Sequence, residues 1–263
     1  MIPSPSVNSL QLGPLKVHLY GFIIALAITF CYILALKIAK RKNITNDEID
    51  RYFFIVIPSA LVFARLYHVF TNFSFYTNNP LLILAIWNGG LGILGAIGGG
   101  LLIMYLISKK TKRNFFEITD FFAPLMLLGQ AIGRWGNYVN QELYGQPTEL
   151  PWAVKIDLPN RLSSVKNFET FHPTFLYESL LCFIAFISLY ILGKKNTVKT
   201  GTLSALYLIC YGIIRYIVEL FKLDPDTDSK IGLLRVPQYI SIVLIIAGIV
   251  ILIRSNKQST GKS

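Results

Sequence analysis

Seven separate runs of about 20 mostly apolar residues punctuate this chain, and their repetition leaves few folds open. The hydrocarbon core of a bilayer is about 30 Å thick and is crossed by about 20 residues of helix. Inside it, each backbone N–H and C=O has to be satisfied within the segment, so single spans of this length are helices. The runs fall at 19–38, 52–71, 89–108, 118–137, 174–192, 202–221 and 236–253. The expected fold class is therefore an all-α integral membrane protein with seven transmembrane helices, a single membrane domain over 1–263. Composition agrees, with 53% hydrophobic and 15% charged residues. The first apolar run is too long for a cleavable signal peptide and lacks a small-residue cleavage site.

The net charge of +11 raises the question of nucleic acid. The basic residues are scattered through short loops, however, so topology explains them and no nucleic-acid partner is expected. Loops 37–51, 108–114 and 193–201 and the tail 254–263 carry fifteen Lys and Arg. The opposite set carries seven: Lys16, Lys155, Arg161, Lys166, Lys222, Lys230 and Arg235. The positive-inside rule then puts the tail 254–263 in the cytoplasm and the amino terminus outside. The loop 138–173, with Gly145, Pro147, Pro151, Pro159 and Asn160, becomes a small periplasmic or extracytoplasmic head between the fourth and fifth spans. Segment 72–88 reads as an interfacial arm on the same side.

Polar residues stand where lipid-bound sequence should exclude them. Gly133-Arg134-Trp135-Gly136-Asn137-Tyr138-Val139-Asn140-Gln141-Glu142-Leu143-Tyr144-Gly145 closes the fourth span. An arginine near a bilayer centre costs about 3 kcal/mol on insertion scales, so intramembrane charge marks a functional site by default. Arg65 and Arg215 lie at similar depth in the second and sixth spans, toward the outer face at 1.5 Å per residue. Glu219 is one turn beyond Arg215 on the same helix face. Glu178, Tyr20, Trp87, His172 and Asn137 share that level. An ion-pair network holding the bundle together is one account, and Arg215 with Glu219 fits it. For the whole set, positive charge exceeds the carboxylates, and an unpaired buried charge is expensive. An anionic ligand such as a phospholipid phosphate would complete the site, since guanidinium binds phosphate bidentately.

Other features carry less. Cys31, Cys182 and Cys210 lie in apolar runs without metal-ligand spacing and read as packing residues. Glycines 89, 90, 92, 95, 98, 99 and 100 crowd the third span and favour close helix packing. Alternatively, Gly89 and Gly90 open that helix and offer backbone N–H groups to an anion. His172, before Pro173, is a structural helix-start residue or a base. Glu178 braces that helix start through its dipole. No internal repeat is evident, which argues against a transporter built from inverted halves.

The thirteen-residue run resembles the signature of the bacterial prolipoprotein diacylglyceryl transferases, roughly Gly-Arg-x-Gly-Asn-aromatic-x-Asn-x-Glu-x-x-Gly. Further matches follow the family's order: Tyr20-Gly21, Arg65 and Tyr67, Trp87-x-Gly89-Gly90, His172-Pro173-Thr174 with Tyr177-Glu178, Arg215-x-x-x-Glu219, and Gln238. The likeness covers residues 18–253. Two departures stand out. Leu94 occupies the place of a usual histidine, and Lys222-Leu223-Asp224-Pro225-Asp226 replaces a commoner Arg-Glu-Pro-Asp run.

The resemblance implies transfer of a diacylglyceryl group from phosphatidylglycerol to the lipobox cysteine of a prolipoprotein signal peptide, releasing glycerol phosphate. The setting is the bacterial cytoplasmic (inner) membrane, with lipid and signal peptide as partners and no metal or other cofactor. Arg134 and Arg215, with Arg65 as the weaker candidate, would stabilise charge on the leaving phosphate. Asn137 and Asn140 would orient the headgroup, Gly89 and Gly90 would contribute to its site, and Glu219 would hold Arg215. With Leu94 in the histidine's place, Glu142, His172 and Tyr20 stay open as the base. A divergent inactive paralogue that binds lipid or signal peptide, and a lipid or anion transporter, are the alternatives.

Overall fold

The computed structural model describes the chain except for residues 6, 14, 41, 43, 87–88, 196, 224–229, 232 and 258–263. Trp87, the Asp224-Pro225-Asp226 run and most of the tail 254–263 lie outside the described residues. In chain order, β1 (Ser9–Leu12) and β2 (Leu15–His18) form an antiparallel hairpin that runs into α1 (Leu19–Ala39). Next, α2 (Asn46–Arg51), a π-helical turn (Tyr52–Val56) and α3 (Ile57–Thr71) form one continuous rod. The short α4 (Phe73–Asn78) and a 3-10 turn (Pro80–Leu84) lead to α5 (Ile93–Lys110). After α6 (Phe115–Val139), β3 (Val154–Lys155) pairs antiparallel with β4 (Thr170–Phe171). Then come α7 (Thr174–Gly193), α8 (Thr202–Phe221), the hairpin of β5 (Lys230–Ile231) and β6 (Leu234–Arg235), and α9 (Val236–Lys257).

Among the described residues seven helices are long and apolar enough to cross a membrane: α1, the α2–α3 rod, and α5 to α9. The chain is a multi-pass membrane protein, and its outward side chains agree. Phe22, Phe30, Phe54, Phe70, Ile184 and Val243 are exposed along the spans, the reverse of a water-soluble surface. The three two-stranded sheets add local β structure to the all-α expectation without altering the helical class. One span departs from its expected start. The third helix begins at Ile93, because Gly89 and Gly90 take left-handed φ values of +82° and +71° and so cannot lie within a right-handed helix.

The chain divides into two compact units, residues 1–31 with 119–263 and residues 32–118. In the first, α6 to α9 follow one another antiparallel through short or folded connections. Asp120 on α6 fixes the start of α8, accepting from the N–H groups of Gly201 (2.6 Å) and Ser204 (2.7 Å). The connection 140–173 has an apolar core of its own: Tyr144, Val154, Ile156, Val165 and Phe171, joined by Phe175 of α7. Around β3, alternation sets it: Val154 and Ile156 are buried and Lys155 points out. The amino-terminal residues close this core, with Ile2 bridging to Val154 and the Met1 ammonium donating to Pro151 O at 2.5 Å.

In the second unit, Thr45 and Glu48 form a reciprocal cap at the start of the α2–α3 rod. Arg113 binds the same Glu48 through Nε at 2.8 Å. The expected glycine packing is present on α5. A Cβ at Gly95 or Gly99 would collide with Phe63 of α3, whereas Gly98 faces open space.

Candidate active site

The antiparallel succession in the first unit brings several helix termini to one end. The end of α6 carries Arg134 and Asn137, the first turns of α7 carry Glu178, and the end of α8 carries Arg215 and Glu219. Arg235 directly precedes α9, and Tyr20 begins α1. Sequence neighbours three and four apart therefore face one interior, as expected for i, i+3 and i, i+4 positions.

These side chains form an unbroken polar relay. Glu142 Oε1 accepts from Asn137 Nδ2 at 2.7 Å, and Asn137 Oδ1 accepts from Arg134 Nη1 at 3.1 Å. Arg134 Nη2 donates to Glu178 Oε1 at 2.5 Å, while Arg215 Nη1 lies 3.4 Å from Glu178 Oε2. One carboxylate thus serves two guanidiniums. Arg215 Nη2 is 3.0 Å from Glu219 Oε2, close enough for an ion pair but without hydrogen-bond alignment, so that oxygen has charge contact alone. Arg235 Nη1 completes the series 3.8 Å from Glu219 Oε1. Glu178 is 2% exposed and Glu219 5%. Carboxylates so buried need such partners, and removing one partner of a buried pair is costly.

The relay borders a cavity of about 10 Å³ lined by Arg134, Asn137, Glu178, Arg215 and Lys222 with apolar neighbours. That volume admits about one water. Lys222 entered the sequence reading as a loop charge and as the start of a departure from the family pattern, without a role at the site. Here its amine is half-buried, and burial, followed by the nearby Arg215 charge, pushes its pKa down.

The turn closing this space is the second half of the thirteen-residue run. Gln141 and Leu143 are non-glycine residues at φ +52° and +56°, a left-handed conformation that needs support from neighbours. Gln141 receives it from Asp157: its Nε2 donates to Asp157 Oδ2 and its Oε1 accepts from Asp157 N–H, both at 2.7 Å. Leu143 O accepts from Thr174 Oγ1 at 2.5 Å. Gly145 is obligatory for close approach, since a Cβ there would sit 2.5 Å from Phe221 O and 2.6 Å from His172 Cβ. The hydrogen bonds from Gly145 N–H to His172 O (2.9 Å) and from Gln146 N–H to Phe221 O (2.8 Å) tie the turn to α7 and α8.

The other first-unit candidates lie around this relay. The Tyr20 ring packs on Gly136, and its hydroxyl is within electrostatic reach of Glu142 and Arg134. Glu142 is exposed, Asn140 is half-buried, and no side-chain hydrogen bond of Asn140 is found among the described residues. His172 does not line the cavity. Its Nδ1 is 3.1 Å from the Tyr177 hydroxyl, which accepts from Trp152 Nε1 at 3.0 Å, and its ring packs on Phe221. Burial lowers its pKa.

Arg65, in the second unit, has a different environment. Its Nε donates to Ile83 O at 2.9 Å, and its Nη1 donates to Gly89 O at 2.6 Å and Gly90 O at 3.0 Å. Its Nη2 reaches Leu82 O and Ala85 O. Arg65 is 6% exposed, and its guanidinium also lies 5.2 Å over the Tyr76 ring. Gly89 and Gly90 therefore present carbonyls to a cation rather than N–H groups to an anion, and the Gly89 N–H is used by Ile86 O. A Cβ at Gly90 would lie 2.8 Å from Arg65 Nη1, which accounts for glycine there. Leu94 sits in the first turn of α5, half exposed.

The profile of the prolipoprotein diacylglyceryl transferase family matches residues 8–254. The chain belongs to this family. A Finegoldia magna protein named phosphatidylglycerol–prolipoprotein diacylglyceryl transferase is 41% identical over 239 residues, covering 91% of each chain. Proteins of that name from Halalkalibacterium halodurans and Trichormus variabilis are 39% and 37% identical, over 92% and 95% of this chain and 83% and 89% of theirs. This member of the transferase family is accordingly an enzyme, and the matched stretch contains the whole relay. Sequence reasoning passed over Lys222, Arg235, Gln141 and Asp157. The first two are basic residues directly abutting an apolar span, and Lys222 also opens the run that departs from the family pattern.

Proposed function

We propose that this enzyme transfers the diacylglyceryl group of phosphatidylglycerol to the lipobox cysteine thiol of prolipoproteins and releases glycerol phosphate. The observation that carries this reading is the pair Arg134 and Arg215, held 2.5 Å and 3.4 Å from opposite oxygens of Glu178 beside a cavity. As the glyceryl carbon–oxygen bond breaks, negative charge grows on the phosphate oxygen. Two fixed guanidiniums in a water-poor site stabilise that charge more than they stabilise the substrate. Glu178 and Glu219 keep both forks in place before the lipid arrives. Asn137 and Asn140 orient the glycerol headgroup, and Glu142 steadies Asn137. Headgroup binding widens the cavity. Arg65 with Gly89 and Gly90 we assign to shaping the entry to α5 rather than to phosphate contact.

The site faces the extracytoplasmic side of the bacterial cytoplasmic membrane, with the amino terminus outside, the carboxyl terminus inside, and residues 138–173 as the outer head. The basic residues of the loops support this orientation. The test is a transfer assay with purified protein in liposomes, phosphatidylglycerol and a labelled lipobox peptide. A mass gain of one diacylglyceryl group, absent with Arg134→Ala, is expected. No gain, with an active relative run alongside, would refute the proposal.

A further inference from the structure

Four ionisable side chains line the cavity: Arg134, Glu178, Arg215 and Lys222. They differ in whether they can exchange a proton near neutral pH. Guanidiniums stay protonated throughout. Glu178 has one oxygen on each arginine, so both of its oxygens are already engaged. Lys222 is the remaining group. Among the described residues its amine makes no ion pair, since Glu178 is shared by Arg134 and Arg215, and Glu219 by Arg215 and Arg235. Its backbone, by contrast, is fixed. Its carbonyl accepts from Arg235 Nη1 at 2.9 Å, and it bridges antiparallel to Gly145 at the end of the signature turn.

Among the described residues, the charged groups near Lys222 come from three helices and, against its carbonyl, from the residue ahead of α9. They are Arg215 and Glu219 on α8, Arg134 on α6, Glu178 on α7 and Arg235 ahead of α9. His172 stacks on the adjacent Phe221 ring at 5.3 Å. With no counter-ion of its own among the described residues, and with arginines beside it, this half-buried amine favours its neutral form more than a surface lysine does.

We propose that Lys222 takes the proton from the attacking lipobox thiol. This assignment rests on the transfer reaction proposed above. The S–H proton moves to the Lys222 amine, and the thiolate forms a C–S bond to the glyceryl carbon bearing the phosphate ester. The C–O bond breaks, its electron pair leaves on the phosphate oxygen facing Arg134 and Arg215, and the ammonium then passes its proton to the departing phosphate monoester. None of Glu142, His172 and Tyr20 lines the cavity.

Lys222→Arg puts a permanently charged group in place of an amine that can take up a proton. At neutral pH its kcat should fall about 10²-fold, in the range of general-base losses. KM for phosphatidylglycerol should stay near the wild-type value. Its rate should climb with pH toward the ordinary thiol pKa of about 8.5. A lipobox peptide with selenocysteine, already ionised at neutral pH, should restore the variant toward wild-type turnover. Lys222→Met, run in parallel, should show the same gap between the two peptides even if arginine fits the site poorly. Wild-type kcat and pH profile in Lys222→Arg, or equal losses with both peptides, would overturn the assignment and leave a charge or packing role. A wild-type enzyme that transfers nothing would instead remove the reaction itself.

Discussion

Arg65 and Arg134 look equivalent in the sequence, each an arginine within an apolar span, yet the two units of the molecule use them in opposite ways. Arg65 spends its donors on five main-chain carbonyls of the segment before α5. Those acceptors are neutral, so the positive charge is solvated by dipoles, and the fork is geometrically saturated. Arg134 bonds Asn137 and Glu178, shares that carboxylate with Arg215, and borders a cavity. Its charge is held in place with one side toward free space. A buried arginine announces a function in the membrane, but the chemistry of its acceptors decides which one. Carbonyls make a clasp, while shared carboxylates beside a void fit the anion site proposed above.

The sharpest way to break the contrast is to remove each fork. Arg134→Ala should lower transfer by about 10³-fold, the scale of losing a preorganised donor to developing charge. Arg134→Lys should recover little, because an ammonium cannot bridge two acceptors as the planar fork does. Near-normal turnover in Arg134→Lys would place Arg134 with the structural arginines. Glu178→Gln comes next, keeping the volume and deleting the shared charge. Loss of one partner from a buried pair costs about 3–5 kcal/mol, so unfolding in detergent should move to much lower denaturant, with activity falling alongside. A stability within error of wild type would mean the relay is not an energetic unit.

Arg65→Lys should act differently. A lysine cannot serve five carbonyls, and the lost charge-assisted bonds should cost about 2 kcal/mol. The effect should be local, seen as faster amide exchange over residues 82–92, with KM for phosphatidylglycerol unchanged. A raised KM with protected amides would return Arg65 to the phosphate site.

Much of this was legible in the sequence for physical reasons. A 20-residue apolar run has one solution in a bilayer, so all seven spans were placed, and the sixth matched residue for residue at 202–221. Arg134, Asn137, Glu178, Arg215 and Glu219 were grouped because depth along a helix follows from 1.5 Å per residue. What depth cannot give is the identity of an acceptor. Arg65 was therefore grouped with the others although its partners are carbonyls. The start of the third span was misplaced because two left-handed glycines can lie inside an apolar run without changing its hydropathy. Lys222 was hidden for the opposite reason. One residue past α8 it counts as a loop charge, and only the close approach of Gly145 to Phe221 brings it to the cavity.

The smallest expected effect separates the signature turn from the helices that hold the relay. Asp157 accepts from Gln141 and Ser4 side chains, and these bonds, Gln141 first, lower its pKa. A carboxyl with a depressed folded-state pKa adds stability that is present above its unfolded value of about 3.9 and lost as pH falls through the folded value. Acidification below about pH 4 should therefore release Gln141 from its left-handed conformation while the buried spans stay helical. Amide exchange over residues 140–157 should rise in that window, with little change along α6 to α9. Asp157→Asn should show the looser turn already at neutral pH, because its single neutral carbonyl oxygen replaces two charged acceptors that serve Gln141 and Ser4. With the carboxylate gone, the acid step should also disappear. If the wild-type turn holds at pH 3 as it does at pH 6, the Asp157 contact does not support the strained pair, and the Thr174 and His172 bonds alone do.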